Sequence, residues 1–159
     1  MLKKPINEKS QIISKIAEIH QRFSSSTKIT DIYARSLLNP SSSQSLDELI
    51  ISAQKIEKLY IGFNSSKEIA ILYASSLFNL TILQSLEECR ISVNKLSMLY
   101  VQYESCVEIA NLYAKGLANL SSNQSTEESI DTVSEIRTLY EKFNSSEEIA
   151  YAYSIGLSK

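Results

Sequence analysis

The chain has 159 residues, enough for one ordinary domain. Its 16 Lys and Arg are matched by 18 Asp and Glu, so no basic face exists to neutralise phosphates, and nucleic acid is excluded as a partner. Its apolar runs fall short of the roughly 20 residues that cross a bilayer, and a single His with two Cys lacking CxxC spacing excludes a structural zinc site. The start, "MLKKPINEKSQ", carries no apolar core of a signal peptide, so a cytoplasmic location with no membrane contact is expected.

In chain order, apolar residues at helical spacing and Ser-x-x-Glu starts predict eight helices, over 6–22, 25–38, 45–62, 65–78, 85–102, 105–118, 125–142 and 145–157. "SLDE" at Ser45–Glu48, "SLEE" at Ser85–Glu88 and "STEE" at Ser125–Glu128 read as capping boxes opening the longer helices, termed B. "SSKE" at Ser65–Glu68 and "SSEE" at Ser145–Glu148 read the same way for the shorter helices, termed A. Asn39, Asn79 and Asn119 are expected to close the A helices, since Asn tolerates the left-handed conformation that ends a helix. Only three glycines and two prolines occur, which suits helix and disfavours sheet.

These elements repeat. "FNSSKEIA" from Phe63, "YESCVEIA" from Tyr103 and "FNSSEEIA" from Phe143 stand forty residues apart, and the offset needs no gap. Tyr33, Tyr73, Tyr113 and Tyr153 share a register, as do Leu37, Leu77, Leu117 and Leu157, and Gln44, Gln84 and Gln124. Tyr60, Tyr100 and Tyr140 fall in register with His20, which therefore reads as a Tyr replacement in the core and not as a catalytic base. The expected fold is all-α: one domain over 1–159, built of helical hairpins spanning about 5–38, 45–78, 85–118 and 125–157, each covering the face its neighbour leaves open.

Helix pairs with "LY…F" closing one helix and "IA…YA…L" filling the next resemble tetratricopeptide-type repeats along the whole chain. The unit here is forty residues where that family has 34, no Trp stands near the start of helix A, and Asn64 and Asn144 replace the closing Pro. The resemblance implies a right-handed α-solenoid with the A helices lining its concave side.

Within helix A, Ile69, Ala70, Tyr73, Ala74 and Leu77 fall on the core arc. The positions that differ between copies lie at i, i+4 and i+7. They are Asp31, Ile71, Asn111 and Tyr151; Arg35, Ser75, Lys115 and Ile155; and Leu38, Phe78 and Ala118, with Ser158 in the last copy. This stripe is the candidate groove for a protein or peptide ligand, its apolar members supplying anchors and its polar ones register.

No catalytic, cofactor or metal site is expected. Cys89 and Cys106 begin successive B and A helices, the lone His20 has no partner for a triad, and no phosphate-binding Gly-rich loop occurs. Glu87–Glu88, Glu127–Glu128 and Glu147–Glu148 sit in first helical turns, where the helix dipole accounts for them. The reading is therefore a non-enzymatic binding scaffold. The alternative is self-assembly, a homodimer or end-to-end stack through the terminal helices.

Overall fold

The computed structural model describes residues 8–38, 44–63 and 66–158. Among them the chain is all-α: α1 Glu8–Arg22, α2 Thr27–Leu38, α3 Leu46–Gly62, α4 Lys67–Thr81, α5 Leu86–Gln102, α6 Val107–Asn123, α7 Thr126–Lys142 and α8 Glu147–Leu157. The odd-numbered helices are the B type and the even-numbered the A type.

The B starts form as their sequence dictates. At Ser45, Ser85 and Ser125 the hydroxyl accepts from the amide three residues on, while Glu48, Glu88 and Glu128 reach back to the cap amide, so two orphan donors are satisfied at each start. The A starts differ from expectation by one residue. In α8 the cap is Ser146, not Ser145, because the turn from Phe143 closes with Ser146 N–H donating to the Phe143 carbonyl at 2.9 Å. Ser146 then accepts from Ile149 N–H, and the position a capping box needs for Glu holds the buried Ile149. Ser66 caps α4 in the same manner, and Ser65, the expected cap there, lies outside the described residues. Cys106 holds this register in α6 and makes no side-chain cap bond.

Two of the A helices also run past their expected ends. α4 continues to Thr81 and α6 to Asn123, so Asn79 and Asn119 are interior residues and not helix ends; Asn39 is outside the described residues. No described residue has a positive φ. The helices continue because Leu80, Thr81, Leu120 and Ser121 are buried, and stopping earlier would forfeit that burial. The Asn119 amide instead donates to Thr81 Oγ1 at 2.9 Å and joins α6 to α4.

Every helix packs on the next in sequence, and consecutive A helices pack directly on one another: α2 on α4, α4 on α6, α6 on α8. Consecutive B helices have no such backbone approach among the described residues. The core lies between the two sets. Ile56, Leu96 and Ile136 of the B helices and Ile69, Ile109 and Ile149 of the A helices are all fully buried. Small residues allow this approach. A Cβ on Gly116 would stand 2.9 Å from Leu96 Cδ1, and Ser36, Ser76 and Gly156 hold the same register.

Each B helix stacks a ring on one from the A helix that follows it: His20 on Tyr33, Tyr60 on Tyr73, Tyr100 on Tyr113 and Tyr140 on Tyr153, with centroids 5.0 to 5.6 Å apart. His20 thus occupies the place of a tyrosine, and its Nε2 bonds Thr30 Oγ1 at 3.1 Å. The repeated glutamines act locally. Gln84 accepts from Ser92 and Gln124 from Thr132, each tying the turn to the helix that follows it.

Candidate interaction surfaces

The stripe expected to be open is partly covered, with Arg35 exposed. Asp31, Ile71, Ser75, Asn111, Lys115 and Ile155 are half-buried, as are Leu38 and Phe78, and Ala118 is only 2% exposed. Leu38, Ile71, Phe78 and Ile155 pack against the core. Asp31 pairs with Arg35 at 2.8 Å, and Asn111 accepts from the Ser146 hydroxyl that caps α8. The last copy, Tyr151, is open at 66%. Burial removes Ala118 from any open surface.

Openings lie on the other side, where the B helices stand apart. The cleft between α3 and α5 is floored by Tyr73 of α4, and one half of it, about 280 Å³, is lined by Tyr60, Ile61, Met98 and Gln102. The other half is lined by Ile50, Gln54, Gln84 and Ile91. Glu57 and Lys95 bridge the middle, with Lys95 Nζ at 2.8 Å from Glu57 Oε1. The Tyr73 hydroxyl donates to the same carboxylate, and the Tyr60 hydroxyl donates to Gln102 Oε1 at 2.7 Å. Burial pushes the Glu57 carboxyl up, but the bonds from Lys95 and Tyr73 outweigh it and leave its pKa below the ordinary carboxylate value. Burial, reinforced by that carboxylate, raises the Tyr73 phenol. The Glu57 carboxyl is therefore ionised at neutral pH, and its bond to Lys95 ties the two walls together.

The lips of this cleft are apolar and uncovered: Met98 is 71% exposed, Ile61 67%, and Ile91 59%. Val101, Ile51 and the turn residues Ile82 and Leu83 extend the exposed apolar area. At the same registers the outer repeats are polar. Ile51 and Ile91 answer to Gln11 and Asp131, Met98 to Glu18 and Thr138, and Ile61 and Val101 to Gln21 and Glu141. A solvated helix face does not concentrate apolar side chains in one place without a reason, and such patches mark interaction sites.

The equivalent cleft between α5 and α7 shares the tyrosine floor but has polar walls: Asp131, Ser134, Glu135 and Thr138. Tyr113 donates to Glu135, and Lys142 lies 5.3 Å from the Tyr100 ring centroid while pairing with Glu104 at 2.7 Å. The letters of helix B carry this difference from copy to copy, whereas the candidate stripe follows variation along helix A alone.

Reactive side chains are occupied elsewhere. Cys89 and Cys106 are free, buried thiols, and burial pushes both pKa values up, away from the reactive thiolate. No helix among the described residues is long and apolar enough to cross a membrane, and they contain no His, Cys, Asp and Glu cluster suited to a metal. Compared with known proteins, the chain matches no family model, no curated protein and no solved structure.

Proposed function

We propose that this protein is a non-enzymatic scaffold that binds a protein or peptide, and that its partner enters the outer cleft between α3 and α5. The observation carrying this reading is the exposed apolar lip of Ile61, Ile91 and Met98 over a tyrosine floor, at registers that are polar in the flanking repeats. The arrangement behind it is a right-handed α-solenoid of antiparallel hairpins, as the tetratricopeptide resemblance implies. Direct packing among A helices, with B helices held apart, supports an inner curve of A helices, since elements inside a bend approach more closely. The sequence-derived stripe, with Tyr151 and Ile155 at its open end, is the alternative surface. A second reading, self-association, is favoured by Tyr151 and Leu157, both exposed on α8.

Affinity capture from the native host, repeated with two variant sets, tests the choice. Ile61→Asp with Met98→Asp should abolish capture, and Ile71→Lys with Tyr151→Lys should leave it intact. The opposite pattern would move the site to the A helices. Light scattering across a tenfold concentration range should show a monomer, and association reversed by Tyr151→Lys would favour self-assembly.

A further inference from the structure

The first and fourth repeats each expose half of a contact that the repeats between them close. Comparison by register shows which neighbour covers which position. Ile56, Leu96 and Ile136, with Ile69, Ile109 and Ile149, are fully buried in the second, third and fourth repeats. Their counterparts in the first repeat, Ile16 and Ile29, are only half-buried. Ile19 is 49% exposed where Leu99 and Leu139 are 3%. The cover at these registers therefore comes from a preceding repeat, and among the described residues only α2 packs on α1.

The fourth repeat shows the reverse. Ala34, Ala74 and Ala114, with Leu37, Leu77 and Leu117, are buried in the first three repeats. Ser154 and Leu157 hold these registers in α8 and are exposed, so the cover here comes from a following repeat. Capping repeats carry a polar outer face, whereas Ile19 and Phe23 at one end and Tyr151 and Leu157 at the other are open.

Side chains beside the two faces also match in register. Phe143 meets Tyr100 edge-on at 6.4 Å, and Lys142 lies over the same ring. Lys67 pairs with Glu108 at 3.9 Å across one repeat step. A second copy whose first repeat follows the fourth by this step would bring Phe23 and Arg22 to the exposed Tyr140, and Lys28 to Glu147. One register opposes the union. Where Glu57 meets Lys95, Arg137 would meet Lys15, but Arg137 is already held by Glu141 at 2.8 Å.

We infer that the chain associates head to tail: α8 of one copy seats α1 and α2 of a second copy, as α6 seats α7 and α8 within the chain. This deepens the self-association reading and leaves the α3–α5 cleft free for a partner. The contact is heterologous, so each union leaves two open ends and growth continues. Each face is a single repeat step, and small interfaces are weak, so the dilute chain is a monomer and joins as concentration rises.

Sedimentation velocity of the full chain between about 10 μM and 1 mM tests this. The average mass should hold at the monomer value at the lower limit and rise continuously above it. Phe23→Asp at the head, or Leu157→Asp at the tail, should each abolish the rise, since one ruined face leaves no pair that fits. An equimolar mixture of the two variants should recover association that stops at a dimer, because one intact head meets one intact tail. Lys28→Glu should weaken association about threefold, and adding Glu147→Lys should restore it. A mixture that stays monomeric, with both variants folded by circular dichroism, would overturn the inference. So would association that survives Phe23→Asp and is lost with Leu157→Asp, which would join two tails. Association untouched by both and lost with Met98→Asp would place the second copy in the cleft and overturn it as well. A wild-type chain monomeric throughout would overturn the inference, and the cleft reading would still stand on capture abolished by Met98→Asp.

Discussion

The α3–α5 and α5–α7 clefts are built from the same register and differ in what they offer. Both have a stacked tyrosine pair on the floor, Tyr60 with Tyr73 and Tyr100 with Tyr113, and in both the inner phenol donates to a carboxylate. In the first, that carboxylate is Glu57 on the near wall, held by Lys95 across the gap. In the second it is Glu135, which stands at the register of Lys95. Outward from this shared frame, Ile91 and Met98 become Asp131 and Thr138. Positions facing the core keep their chemistry because packing fixes them. Positions facing solvent are free to differ, so a concentrated apolar departure there carries information about function.

The largest effect expected separates frame from surface. Leu96→Ala and Ile136→Ala remove side chains with no exposed area at equivalent core positions, and each should cost about 2–5 kcal/mol in denaturant unfolding. A large asymmetry between the two would break the view that the frames are equivalent. By contrast, Met98→Asp should leave stability within about 0.5 kcal/mol while weakening partner binding by about 2 kcal/mol or more. Equal losses in both would make Met98 a structural residue.

Grafting sharpens the same contrast. Asp131→Ile with Thr138→Met gives the second cleft the lip of the first. Affinity capture of the partner should then survive Met98→Asp in part, because a second apolar lip is present.

The tyrosine floor can be probed with pH. Tyr73 and Tyr113 both have raised folded-state pKa values, from burial first and the adjacent carboxylate second. The stability they contribute is fully present below the unfolded phenol value of about 10 and is lost as pH rises above it, by about 1.4 kcal/mol per pH unit for each. Unfolding curves between pH 7 and 11 should show this slope, and Tyr73→Phe with Tyr113→Phe should flatten it. A smaller gain is expected from Cys106→Ser, which restores the cap that Ser66 and Ser146 provide in neighbouring repeats. It should add about 0.5–1 kcal/mol.

The period, the helix order and the B-helix caps are legible in the sequence, because a capping box is a local device spanning four residues. The A-helix starts are displaced by one residue because the turn after Phe143 decides where the helix begins, through Ser146 N–H and the Phe143 carbonyl. The asparagine columns mislead because their partner is remote: Asn119 looks like a helix stop in sequence, and only the fold brings it to Thr81. The candidate groove rests on variation along the A helices, where most of the varying residues turn out half-buried. The apolar lip on the B helices is present in the letters, in Ile51 and Ile91 against Gln11 and Asp131. It gains meaning once Tyr73 is seen to floor a gap between α3 and α5.

Photo-crosslinking from repeat-equivalent positions tests the outer-cleft assignment most directly. A benzophenone side chain placed at position 98, 138 or 151 would be irradiated in the presence of the captured partner. Strong crosslinking from 98 with little from 138 or 151 is the predicted result. Equal crosslinking from 98 and 138, or crosslinking confined to 151, would contradict it.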